Sequence, residues 1–126
     1  MARLTPDGPY LHPDVEHQNC TFGRFCEIGK GSRLQNVYFD DYSYCDRYAD
    51  IANARIGKFS NIASFVRIGA TDHPMDRASL HHFLYRSPDY FDDAEVDHLW
   101  FEKRASRLVN IGHDTWIGHN AQIKPE

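Results

Sequence analysis

His73 is the residue of this chain best placed to do chemistry. It follows the run Ile56-Gly57-Lys58-Phe59-Ser60-Asn61, Ile62-Ala63-Ser64-Phe65-Val66-Arg67, Ile68-Gly69-Ala70-Thr71-Asp72, in which an aliphatic residue recurs every six positions and then stops. An imidazole titrates near neutrality, so a histidine presented at the end of a rigid element suits a general base, a role worth about 10²- to 10⁴-fold in rate. Taken alone, a histidine before proline, as in His73-Pro74, is more often a turn residue than a catalyst. The other histidines invite a metal reading. His81 and His82 are adjacent, while His113 and His119 hold the same position of successive hexads. Six residues of strand and corner span up to roughly 20 Å, so those two cannot share an ion within one chain, and no metal is expected.

The element that would position His73 is set by the period. Six fits neither a helical face nor a single alternating strand, and it is the period of a hexapeptide β-helix. Three hexads would make an 18-residue triangular coil, each hexad giving one short strand and one corner. Side chains alternate along a strand, so the residue two before each inward aliphatic also points inward and must be small. Those positions hold Cys20, Cys26, Ser32, Ala54, Ser60, Val66, Val109, Thr115 and Ala121. All are small or β-branched, which supports the period independently and assigns Cys20 and Cys26 to core packing. Three cysteines, with Cys45 the third, match no zinc-ribbon or disulfide framework.

The positions just before each inward aliphatic point outward and are polar, except for Trp116. A lone outward indole asks for a partner, either a neighbouring subunit or a bound ligand.

In chain order, residues 1–19 read as an irregular, proline-containing lead and residues 20–69 as coils. Residues 70–108 form a long excursion without hexads, and residues 109–126 a resumed coil. Between Leu34 and Ile56 the gap is 22 residues, so one irregular coil is expected there, with Tyr38, Tyr44 and Asp50 in step with Ile56. It gathers Tyr38, Phe39, Tyr42, Tyr44 and Tyr48 among Asp40, Asp41 and Asp46, either as a pocket for a polar organic substrate or as a packing surface. Within the excursion, Asp92-Asp93-Ala94-Glu95 reads as a capping box ahead of a helix bearing Val96, Leu99, Trp100 and Lys103. The hexads end at Ile123, three residues before the sequence closes, so the last coil is expected to need a cover.

The net charge of −4 offers no broad footprint for nucleic acid or an anionic membrane. No apolar run reaches a membrane span and the N-terminus lacks a signal-peptide core, so a cytoplasmic protein is expected.

The hexads Ile56-Gly57-Lys58-Phe59-Ser60-Asn61-Ile62-Ala63, then His73-Pro74-Met75-Asp76, then Ile111-Gly112-His113-Asp114-Thr115-Trp116-Ile117-Gly118, resemble the hexapeptide-repeat xenobiotic acetyltransferases, which include streptogramin and chloramphenicol enzymes. Through Asp76-Arg77, His81-His82-Phe83 and Tyr85-Arg86 the likeness is closer to hexapeptide-repeat transferases associated with phosphonate metabolism. The resemblance runs from about Phe22 to the C-terminus. It implies an all-β, left-handed parallel β-helix, a homotrimer with active sites between subunits, acetyl-CoA as donor and a small-molecule acceptor. Carried over by position, His73 is the base and Trp116 lies beside the CoA arm. Tyr42, Asp76, His81 and Tyr85 help to shape the acceptor side. The family continues with further coils and a C-terminal helix that this sequence lacks. Two other readings suit the same fold: a zinc hydratase like the γ-class carbonic anhydrases, and a truncated, non-catalytic β-helix interaction module.

Overall fold

The computed structural model describes residues 2–70, 76, 78–82 and 85–125. The chain forms two units, Met1–Ala70 with Leu108–Glu126, and Thr71–Arg107. His73 lies outside the described residues.

The first unit is a left-handed parallel β-helix. Its strands are β1 (Tyr10–Leu11), β2 (Glu16–Gln18), β3 (Thr21–Phe22), β4 (Glu27–Ile28), β5 (Arg33–Phe39), β6 (Tyr44–Cys45), β7 (Asp50–Ile56), β8 (Asn61–Ile62), β9 (Arg67–Ile68), β10 (Val109–Ile111), β11 (Trp116–Ile117) and β12 (Gln122–Ile123). One face stacks β1, β4, β6, β8 and β11. A second stacks β2, the first half of β5, the first half of β7, β9 and β12, and the third is built from β3, the second halves of β5 and β7, and β10. The segment expected to be an irregular lead thus carries β1 and β2, which already pair in the ladders.

The coil is one residue shorter than the hexad pattern implies. Tyr10 pairs with Glu27, Glu27 with Tyr44, Tyr44 with Asn61, Arg33 with Asp50 and Asp50 with Arg67, a constant offset of 17. Inward residues therefore advance by six, six and five: Phe22, Ile28 and Leu34, then Phe39, Cys45 and Ile51, then Ile56, Ile62 and Ile68. The 22-residue gap between Leu34 and Ile56 is one whole coil plus one five-residue step, so no irregular coil exists there. Phe39, Cys45 and Ile51 fill the core, where Tyr38, Tyr44 and Asp50 were the residues expected to keep step. The narrow inward positions missed by that slip are Val37, Ser43 and Ala49, all buried and all small or β-branched.

The short step has a chemical cause. β5 and β7 run unbroken through their corners because Asn36 and Asn53 take left-handed backbone conformations there, with φ of 55° and 53°. Asparagine is among the few L-residues that tolerate this region. The amides stack along the solenoid: Asn19 Nδ2 donates to Asn36 Oδ1 at 3.1 Å and Asn36 Nδ2 to Asn53 Oδ1 at 2.9 Å. Ile68 and Ile111, which pair with Ile51 and Ile56, are 43 residues apart where their partners are five apart, so the excursion inserts 38 residues at this same corner.

The core is a column of stacked aliphatic side chains from Ile28 to Ile117. The polar groups inside it are satisfied: Ser43 Oγ donates to Gly57 O at 2.6 Å, Ser60 Oγ to the same carbonyl at 2.7 Å, and Ser32 Oγ to Asp46 O at 3.2 Å. Cys26 is fully buried and Cys20 packs partly buried against the same column.

Among its described residues the second unit contains a 3₁₀ turn at Ser87–Asp89 and the helix α1 (His98–Ala105). The cap is Asp97, whose carboxylate accepts from Trp100 N at 2.9 Å, and not the 92–95 box expected from sequence. The box motif fits, but its first acidic residues fall in turns, and the helix starts where Asp97 can reach the free N–H groups.

Candidate functional site

Trp116 stands on the first face of the β-helix. Alternation along β11 sends Ile117 into the core and Trp116 outward, in register with Asn61 of β8. The indole is 81% exposed, more than any other large apolar side chain of the described residues. Along the same ladder lie Tyr44, Glu27 and Tyr10. Glu27 accepts from Arg3 at 3.1 Å and meets His12 Nε2 at 2.6 Å, which fastens the N-terminal segment to this face.

The corners on either side of the face are aromatic. Phe25, Tyr42 and Phe59 form a continuous stack at one, with centroids 5.0 Å apart at each step, and Tyr48 and Phe65 stack at 5.4 Å at the other. All five take positive φ between 56° and 62°, a costly conformation for bulky residues that the ring stacking helps to offset. Gly31 opens the second stack, since a Cβ there would come within 2.3 Å of the Tyr48 ring. In the coil that carries Trp116 the positive-φ corner positions are Asp114 and Asn120, so neither parallel ring stack continues into that coil.

This arrangement disperses the aromatic and acidic cluster read from sequence. Phe39 is core, Tyr42 and Tyr48 belong to different corners, Tyr44 is on the first face, and Tyr38 is on the third under the guanidinium of Arg55. A 17-residue autocorrelation would have revealed the stacks, because Phe25, Tyr42 and Phe59 recur at that spacing. The six-residue beat hides them.

Electrostatics at the first corner are local. Asp41 accepts from Arg24 N at 2.7 Å and from the Arg24 guanidinium at 3.2 Å. The backbone bond, and then the side-chain bond, hold its carboxyl below the usual range, and Arg24 is raised in return. One coil further, Lys58 N donates to His113 Nδ1 at 2.8 Å, which leaves Nε2 to carry the proton of the neutral ring. His113 and His119 sit at different corners, in register with Lys58 and Ser64. Among the described residues no group of three His, Cys, Asp or Glu side chains is placed to hold a metal ion, and no helix is long and apolar enough to cross a membrane.

The other candidates named from the sequence fall in the excursion unit, apart from Tyr42. Tyr85 is buried against Trp100 at 5.2 Å and Phe101 at 5.5 Å, with Arg104 over both Tyr85 and Phe101. His81 packs edge-on against His82 at 4.6 Å, and His82 Nε2 bonds the Tyr90 hydroxyl. Asp76 is exposed in a turn. The excursion therefore has an aromatic core, with His81 and His82 at its edge.

The chain is similar to chloramphenicol acetyltransferases of Klebsiella aerogenes, Morganella morganii and Escherichia coli, with 29%, 30% and 30% identity over 128 residues. Each alignment takes in 94% of this chain and 56% of the relative, so the chain spans about half the length of the curated relatives it matches. No protein-family model matches the chain, and no solved structure matches it.

Proposed function

We propose that this protein moves an acetyl group from acetyl-CoA to a hydroxyl or amine of a small-molecule acceptor, as a homotrimer in the cytoplasm. The observation that carries the reading is the similarity to three chloramphenicol acetyltransferases along 94% of the chain. It is supported by the hexapeptide β-helix and by the exposed indole of Trp116.

In this reading His73 takes the proton from the acceptor as its oxygen or nitrogen attacks the thioester carbonyl. The tetrahedral intermediate collapses with loss of the CoA thiolate, which receives that proton from His73, so atoms and charge balance. Trp116 gives the CoA arm a flat apolar surface. Tyr42, Asp76, His81 and Tyr85 are assigned to the acceptor side, Tyr85 by holding the excursion's aromatic core in shape. The motifs Asp76-Arg77, His81-His82-Phe83 and Tyr85-Arg86 support a place with the phosphonate-metabolism-associated members.

Calorimetric titration with acetyl-CoA, followed by a thiol-release assay over a panel of hydroxyl and amine acceptors, tests the proposal. Binding with acceptor-dependent thiol release is expected. His73→Ala should abolish release while leaving acetyl-CoA affinity and oligomeric state unchanged. No binding at millimolar acetyl-CoA would overturn the reading, and loss of assembly in His73→Ala would make His73 structural.

A further inference from the structure

The third face of the β-helix carries a cleft of about 190 Å³ that the acetyl-transfer reading does not use. It is lined by Asn19 and Asn36 of the asparagine corner, Thr21 of β3, Tyr38 of β5, Arg55 of β7 and Leu108. Three successive coils supply the polar groups in register, since Thr21 pairs with Tyr38 and Tyr38 with Arg55.

Arg55 determines what the cleft can take. Its guanidinium lies 5.4 Å over the Tyr38 ring, and no carboxylate is within ion-pair distance of it among the described residues. Arg3, Arg24 and Arg33 of the same unit each have a carboxylate partner, whereas Arg47 and Arg67, like Arg55, have none among the described residues; of these three only Arg55 lines the cleft. A guanidinium stacked on a ring keeps its N–H edge available and has already lost part of its side-chain freedom, so it binds an anion at lower entropic cost than a mobile lysine would. Around it, the Thr21 and Tyr38 hydroxyls and the corner amides are neutral groups able to donate. Among the described residues, no acidic side chain lines the cleft.

We propose that this cleft binds a small molecule through an oxyanion group, a carboxylate or a phosphate, with Arg55 as the principal contact. The proposal does not rest on the acetyl-transfer reading.

The test is amide-resolved NMR titration of the whole chain with inorganic phosphate and, separately, with acetate, against sodium chloride at matched ionic strength. Saturable shifts centred on Asn36, Tyr38 and Arg55 are expected with at least one oxyanion, and the stronger of the two names the preferred group. Arg55→Gln should weaken that binding by about ten-fold or more, the scale of a charge-assisted hydrogen bond. Thr21→Glu places a carboxylate in the cleft from an exposed strand position and should do the same if Arg55→Gln fails to fold. Shifts that never saturate or that chloride reproduces would overturn the site, as would unchanged affinity in a folded variant.

Discussion

Replacing Asn36 by alanine removes the group that makes the coil 17 residues long. Two amide bonds disappear, at 3.1 Å to Asn19 and 2.9 Å to Asn53. Each is worth about 0.5–1.5 kcal/mol in net stability. Alanine at φ 55° adds about 1–2 kcal/mol of left-handed backbone strain. Asn36→Ala should therefore lose about 2–5 kcal/mol in all. Asn36→Gly loses the same bonds and avoids the strain, but gives up about 0.5–1 kcal/mol of backbone entropy. Glycine should thus be the better of the two by about 0.5–1 kcal/mol, the reverse of the order expected inside an ordinary strand. Equilibrium unfolding in guanidinium chloride, compared at constant m-value, measures both differences. An alanine variant within about 0.5 kcal/mol of wild type, or one more stable than the glycine variant, would refute the corner argument.

Gly69→Ala should be severe, because φ is 81° and a Cβ would lie 1.9 Å from the carbonyl oxygen of Ala52; a loss of about 2–4 kcal/mol in the same assay is expected. Burial pushes the Cys45 thiol from 9.0 up to about 11. The folded value is the higher one, so its contribution to stability is complete below pH 9 and declines as pH rises toward 11, by up to about 1.4 kcal/mol per unit. Unfolding midpoints of wild type and Cys45→Ala from pH 8 to 11 should converge as that contribution is lost, and parallel profiles would contradict it. Trp116→Ala removes a side chain that is 81% exposed, so it should leave the unfolding midpoint nearly unchanged while weakening acetyl-CoA binding; a large stability loss would show that the indole packs within the chain.

The inward pattern was legible in the sequence because it depends on one dimension only. A side chain that alternates along a strand is in or out whatever the neighbouring coil does, so the run from Ile56 to Ile68 announced the β-helix and Cys26, Ser32, Ser60 and Val66 announced its narrow positions. The outward indole of Trp116 followed from the same rule. The excursion was visible as the place where the beat stopped, and the sequence also marked it as helix-bearing.

What faces what was decided by the tertiary structure. Coil length is a sum over three sides, and one side is a residue short because Asn36 and Asn53 can adopt left-handed corners. That single missing residue per coil turned an apparent irregularity into a regular repeat, moved Tyr38 and Tyr44 out of the core and Phe39 and Cys45 into it, and brought Phe25, Tyr42 and Phe59 into one stack. It also aligned Thr21, Tyr38 and Arg55 on one face, residues that are distant in sequence and share no motif. A period of six reports which side chains turn inward. Only the closing of each coil upon the last determines which of the outward ones become neighbours.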